Sequence, residues 1–262
     1  MHALFRSLLP AMLATGLLAA GLPAAAAPLA RTIVAVKPSV VAIGTHVRTR
    51  SPAISFHATG FVVGDGLSVI SNAHAVPELD PERMEALGVV TGRGDQLEFR
   101  SASVVSIDRV HDLVHLRLSG TPLPALRLAG GDLVDEGSEV AFTGYPLGML
   151  LGLTPVTHRA MVAAVTPAIL PTATTRGLNP RAVLQLQRNR PFSIYQLDGT
   201  AYPSNSGSPV YDPDNGSVLA VINMTLVKGT KESAISDPSG ISYAVPVRHV
   251  HELLQQGSAP KQ

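Results

Sequence analysis

Residues 58–76 read ATGFVVGDGLSVISNAHAV, two β-rich runs at 60–63 and 67–71 around Gly64-Asp65-Gly66. Glycine enters positive-φ turn conformations without a Cβ clash, so G-D-G between such runs predicts a tight hairpin. His74 follows the second run directly. Upstream, ARTIVAVKPSVVAIGTHV (30–47) predicts a helical turn entering a strand at 40–47, with Pro38 at the boundary. Downstream, strands are expected at 97–107 and 110–118. In the second of these Val110, Asp112, Val114, Leu116 and Leu118 share one face by period two. An acid on an apolar face is unfavourable without a partner, so Asp112 calls for one.

Residues 120–136, rich in Pro, Gly and Asp, read as a connector. A second β-rich half follows, with runs at 138–145, 156–165, 182–187, 192–197, 208–211, 217–224 and 241–245, and a turn at DPDNG (212–216). VRHVHELLQQ (247–256) is helix-like. Many short strands in two halves indicate an all-β fold, either paired barrels or a sandwich. The scarcity of helical periodicity excludes an alternating α/β sheet.

A net charge of +1 and the absence of any basic run exclude nucleic acid as a partner. With no cysteine, thiol catalysis and cysteine metal sites are excluded too. Residues 1–27 have the order of a signal peptide: Arg6, an apolar centre, then small residues with cleavage near Ala26 or Ala27. Pro10 and Gly16 interrupt the run and disfavour an uncleaved anchor. The chain is thus expected to be exported, periplasmic or secreted, with no stable membrane association after cleavage.

Serine hydrolysis needs a hydroxyl, a base beside it, a carboxylate orienting that base and N–H donors for the oxyanion. Three segments offer these parts: SNAHAV with His74, HDLVHL with Asp112, and DGTAYPSNSGSPV (198–210) with Ser206. G-x-S-x-G is absent around Ser206 and His74 precedes it, so an α/β-hydrolase elbow is excluded. His111, His115, His249 and His251 read as structural, no H-E-x-x-H spacing occurs, and neither metal nor cofactor is expected.

These segments, with LAGGDLVDEGSEVAFTGYPLG (128–148), NGSVLAVINM (215–224) and GISYAVP (240–246), resemble trypsin-like serine peptidases of the bacterial Deg/HtrA branch, in order from about Arg31 to Leu254. The resemblance implies two six-stranded antiparallel barrels, about 32–125 and 126–246, within a peptidase domain of 28–255 that closes with a short helix at 247–255 and precedes a polar tail at 256–262. It implies His74 as general base, Asp112 as its orienting carboxylate and Ser206 as nucleophile of an endopeptidase acting on polypeptides. Asp198 matches a position in the branch's active-site loop. The backbone N–H groups of Ser204 and Ser206 would form the oxyanion hole. Ser204 stands where the family usually has Gly, and a positive φ there would cost about 1–2 kcal/mol. Asn205 cannot supply the charge for activation by an inserted N-terminus.

The specificity pocket is expected at Thr200, Ala201, Asn223 and Tyr243. With no acid at Thr200 and no His at Ile222 or Asn223, a small or medium apolar residue is the expected preference. Relatives often carry a PDZ domain after the peptidase; none is expected here, and the oligomeric state is left unassigned. The alternative function is a weak or inactive peptidase fold that binds peptides or acts like a chaperone.

Overall fold

The structure is a computed structural model that describes residues 28–92, 97–146, 153–168, 192–223 and 240–258. The signal-peptide reading and the strand expected at 182–187 lie outside the described residues. Helix α1 (Pro28–Val36) leads through a 3-10 turn at Lys37–Ser39 into the first barrel. That barrel comprises β1 (Val40–His46), β2 (Ile54–Val63), β3 (Ser68–Asn72), β4 (Ala86–Thr91), β5 (Glu98–Asp108) and β6 (Leu113–Leu118). The second comprises β7 (Glu139–Gly144), β8 (Val156–Pro167), β9 (Ser193–Leu197), β10 (Pro209–Tyr211), β11 (Val218–Ile222) and β12 (Ser242–Pro246). Helix α2 (Arg248–Ser258) ends the described chain.

Both sheets close, in the orders β1-β2-β3-β6-β5-β4 and β10-β11-β12-β9-β8-β7, with every pairing antiparallel. The two orders are the same topology written twice, although the sequence carries no repeat. Closure removes sheet edges, so every strand has neighbours on both sides. Each barrel has its own core. Val41, Ile43, Val62, Val69, Val89, Val114 and Leu116 fill the first. Phe142, Val162, Tyr195, Leu197, Val210 and Ile222 fill the second. Burying each such side chain contributes about 1.5–3 kcal/mol. A third cluster, including Phe61, Ile70, Leu113, Tyr145, Val221, Val250 and Leu253, packs the barrels and α2 against one another.

The connector is bound to both halves. Leu126 N–H donates to Val62 O at 2.8 Å, Val218 N–H to Arg127 O at 2.8 Å and Ala129 N–H to Val218 O at 2.9 Å. A strip of four residues thus runs between the barrels as a shared seam.

Two local expectations change. The strand expected at 110–118 begins at Leu113, and Asp112 sits in the preceding turn with φ +54°. Asp108 pairs with Leu113 in the ladder, so residues 109–112 form the loop of a hairpin. The Asp108 carboxylate makes that loop by accepting Val110 N–H (2.9 Å), His111 N–H (3.1 Å) and His111 Nδ1–H (2.6 Å). An Asp accepting from the backbone two residues on is a turn signal that outweighs period two. Strand β4 went unforeseen because Gly88 weakens its pattern. Glycine is required there, since a Cβ would stand 2.2 Å from Arg100 O on β5.

Candidate active site

His74 lies on the 3-10 turn Ala73–Ala75, just past the end of β3. The β5–β6 hairpin loop presents Asp112 to it. Asp112 O accepts Ala73 N–H at 3.0 Å and Asn72 Nδ2–H at 3.0 Å, which docks the loop on the turn. The carboxylate then grips the histidine twice: His74 N–H donates to Oδ1 at 2.9 Å and His74 Nδ1–H to Oδ2 at 2.6 Å. An ionised carboxylate only accepts, so the imidazole proton resides on Nδ1 and leaves Nε2 as the basic nitrogen.

Asn223, buried at the end of β11, donates its amide to Asp112 Oδ2 at 3.0 Å. Burial disfavours the charged Asp112. The His74 side-chain bond and charge, the His74 backbone N–H and the Asn223 amide outweigh that, and its pKa lies below the ordinary carboxylate value. Asp112 therefore stays ionised and holds the ring.

Ser206 is buried in the loop between β9 and β10. Its carbonyl accepts Thr59 N–H of β2 at 2.9 Å, which ties the loop to the first barrel. Gly207 N–H donates to Ile222 O at 2.9 Å, and Ile222 is the neighbour of Asn223. Hydrogen bonds thus link the Ser206 loop, through Ile222 and Asn223, to Asp112 and His74. Gly207 has φ +84°, and a Cβ on it would meet Thr59 O at 2.0 Å, so only glycine fits beside Ser206.

Ser204 has φ +76°. Its carbonyl accepts the Thr59 hydroxyl at 2.9 Å, and among the described residues its N–H makes no hydrogen bond to protein. Asn205 is buried with both side-chain polar atoms unpartnered among the described residues. Asp198 is exposed and accepts Met161 N–H at 2.5 Å, bracing the end of β9 against β8. Of the residues expected in the specificity pocket, Thr200 and Tyr243 are half-buried. Ala201 is buried and its N–H donates to Ser242 Oγ at 2.7 Å. Asn223, also expected in that pocket, gives its side-chain amide to Asp112.

Residues 58–221 match the model of the trypsin-like peptidase domain family. The chain belongs to the trypsin-like peptidase family. It is 25% identical over 207 residues to the mitochondrial serine protease HTRA2 of Drosophila pseudoobscura pseudoobscura, covering 79% of this chain and 40% of that protein. It is 23% identical over 202 residues to a probable periplasmic serine endoprotease, DegP-like, of Halomonas elongata, covering 76% of this chain and 34% of that protein. The chain therefore spans less than half the length of these relatives. The serine endoprotease of Yersinia pestis shares the fold, with a TM-score of 0.60 at 15% identity, over 90% of this chain and 67% of that one.

One further cluster concerns metal binding by this trypsin-like peptidase. His111, His249 and Glu252 bring potential ligand atoms within 4.8 Å of one another. The two imidazoles stack at 3.7 Å and 16°. Their Nδ1 atoms bond to Asp108 and Glu252, and Arg248 Nε lies 3.3 Å from His249 Nε2. Parallel stacked rings cannot both aim an in-plane lone pair at one ion, and the guanidinium adds a positive charge. The cluster instead packs α2 on the hairpin loop that carries Asp112. Sequence reasoning missed this contact and the Asn223 amide. The H-D pair at 111–112 was its one visible signal.

Proposed function

We propose that the protein is an exported serine endopeptidase, with Ser206 as nucleophile, His74 as general base and Asp112 as the carboxylate that fixes the imidazole. The observation that carries this reading is the double grip of Asp112 on His74, through Nδ1–H at 2.6 Å and backbone N–H at 2.9 Å. It sets the tautomer that general-base catalysis requires. In the proposed reaction His74 Nε2 takes the Ser206 hydroxyl proton as Oγ attacks the scissile carbonyl. The oxyanion accepts N–H from Ser204 and Ser206. His74 then protonates the leaving amine, and a water deprotonated by His74 hydrolyses the acyl-enzyme.

Thr200, Ala201, Asn223 and Tyr243 are proposed to line the specificity pocket, accepting a small or medium apolar residue. No charged side chain stands among these four residues. Export to the periplasm or beyond rests on the signal-like residues 1–27. A DegP-like relative is named as periplasmic, and no helix among the described residues is long and apolar enough to cross a membrane.

A fluorophosphonate probe tests the activity. It is expected to tag the wild type and not Ser206→Ala; absence of tagging in the wild type, with and without added peptide, would overturn the reading. Cleavage of a peptide library dominated by Lys, Arg or Glu would overturn the proposed preference. The positive φ at Ser204 favours one competing reading, a peptide-binding protein of weak or absent activity. Peptide binding without tagging would support it.

A further inference from the structure

Thr59 lies in β2 of the first barrel and is fully buried, yet its polar groups turn toward the Ser206 loop of the second. Its backbone N–H holds Ser206 O at 2.9 Å. Its carbonyl accepts Ser71 Oγ–H at 2.7 Å, which orients the peptide from behind. Tyr145 N–H, just past β7, lies 3.0 Å from Thr59 Oγ1. An amide can only donate, so Thr59 Oγ1 accepts this bond and its own proton goes to Ser204 O at 2.9 Å. The direction of every bond around this hydroxyl is thereby set.

Ser204 needs such a hold. At φ +76° it occupies the left-handed region, which a residue bearing a Cβ leaves unless its surroundings compel it. The peptide carbonyl of Ser204 is the group Thr59 grips, and the torsion of that residue governs where its N–H points. We infer that Thr59 is a positioning residue: its hydroxyl clamps Ser204 O, keeps Ser204 left-handed, and so holds the oxyanion donor in place for catalysis. In a relative with Gly at this position the conformation is intrinsically accessible; with Ser204 it depends on the clamp. The inference rests on the proposed peptidase activity for its kinetic part and on geometry alone for its conformational part.

The test uses Thr59→Val, which keeps the shape and removes the hydroxyl, and Thr59→Ser, which keeps the hydroxyl. Each is made in the Ser204 and the Ser204→Gly backgrounds. In the Ser204 background Thr59→Val is expected to lower kcat by about tenfold to a hundredfold, short of the effect of deleting an oxyanion donor outright. KM should stay within about twofold, and Thr59→Ser should retain kcat within the same margin. In the Ser204→Gly background Thr59→Val should lose less than about threefold, because glycine holds the left-handed conformation unaided. An equal loss in both backgrounds, a loss carried by KM, or a Thr59→Ser as impaired as Thr59→Val would overturn the clamp.

Crystal structures supply a readout independent of turnover. In Thr59→Val residue 204 should leave the left-handed region, and in Thr59→Val/Ser204→Gly it should stay. Persistence of Ser204 near φ +76° without the hydroxyl would also overturn the inference. Should Thr59→Val fail to fold, Thr59→Ala replaces it in both measurements. A wild type that no fluorophosphonate tags refutes the peptidase reading, while the φ of residue 204 still decides the clamp.

Discussion

Ser204 and Gly207 flank the proposed nucleophile with φ values of +76° and +84°, and only one of them is glycine. Replacing Ser204 with Gly relieves about 1–2 kcal/mol of backbone strain. The added freedom of the unfolded chain takes back about 0.5–1 kcal/mol. Ser204→Gly is therefore expected to stabilise the protein by no more than about 1.5 kcal/mol, read as a small rise in the urea midpoint. Gly207→Ala should do the reverse, because backbone Thr59 O must yield to the new methyl: a loss of more than about 2 kcal/mol in urea unfolding, with probe labelling abolished. Asn223 offers a subtler test. Removing its amide takes a donor from a partly buried carboxylate, and such bonds are worth about 1.5–3 kcal/mol. Asn223→Ala should raise the Asp112 pKa, read as a shift to higher pH in the titration of the Asp112 carboxylate followed by NMR. An unchanged Asp112 titration would show that the amide does not tune it.

At the scale of elements, the β5–β6 hairpin carries the site's carboxylate on a loop closed by Asp108. Burial opposes the ionisation of Asp108, but the His111 side-chain and backbone bonds outweigh it and hold the pKa below the ordinary carboxylate value. Asp108→Ala should release residues 109–112, lower the melting temperature by a few degrees and reduce kcat while Asp112 itself is intact. Retained kcat would show that the loop holds its shape without Asp108. This loop also marks where sequence reading failed. Alternation of Val110, Asp112, Val114 and Leu116 fits a strand, yet a single side chain–backbone turn outranked it. Gly88 hid β4 for a similar reason, since the close approach it permits is visible only once Arg100 is beside it. The G-D-G hairpin, the DPDNG turn and the helix at 248–258 were legible because each depends on neighbours in sequence. The Asn223 amide and the Thr59 hydroxyl were not, because their partners, Asp112 and Ser204, lie more than 100 residues away.

For the molecule as a whole, pH response follows from its buried ionisable groups. Burial holds His115, His158 and His249 below the ordinary histidine pKa. As pH falls below about 6.5 the unfolded chain takes up protons first, so stability present above that value is lost on acidification. Asp108 and Asp112, with lowered pKa values, add stability that is present above about 3.9 and lost as pH falls through their folded values. Urea midpoints should decline from neutral pH in these two stages; a midpoint that rises between about pH 7 and pH 5 would contradict the assignment. The seam at residues 126–129, bonded to both barrels, predicts one cooperative melting transition with calorimetric and van't Hoff enthalpies in agreement. It also bears on the order in which the protein is made. The first barrel leaves the ribosome bearing the proposed base and its carboxylate, His74 and Asp112, and the Thr59 whose bonding partners lie in a loop not yet translated. Ser206 arrives last, and its loop takes shape only against a finished partner. A chain of this design brings the proposed nucleophile to its proposed base only after the second barrel has folded on the first, so the layout itself would delay reactivity until both barrels are in place.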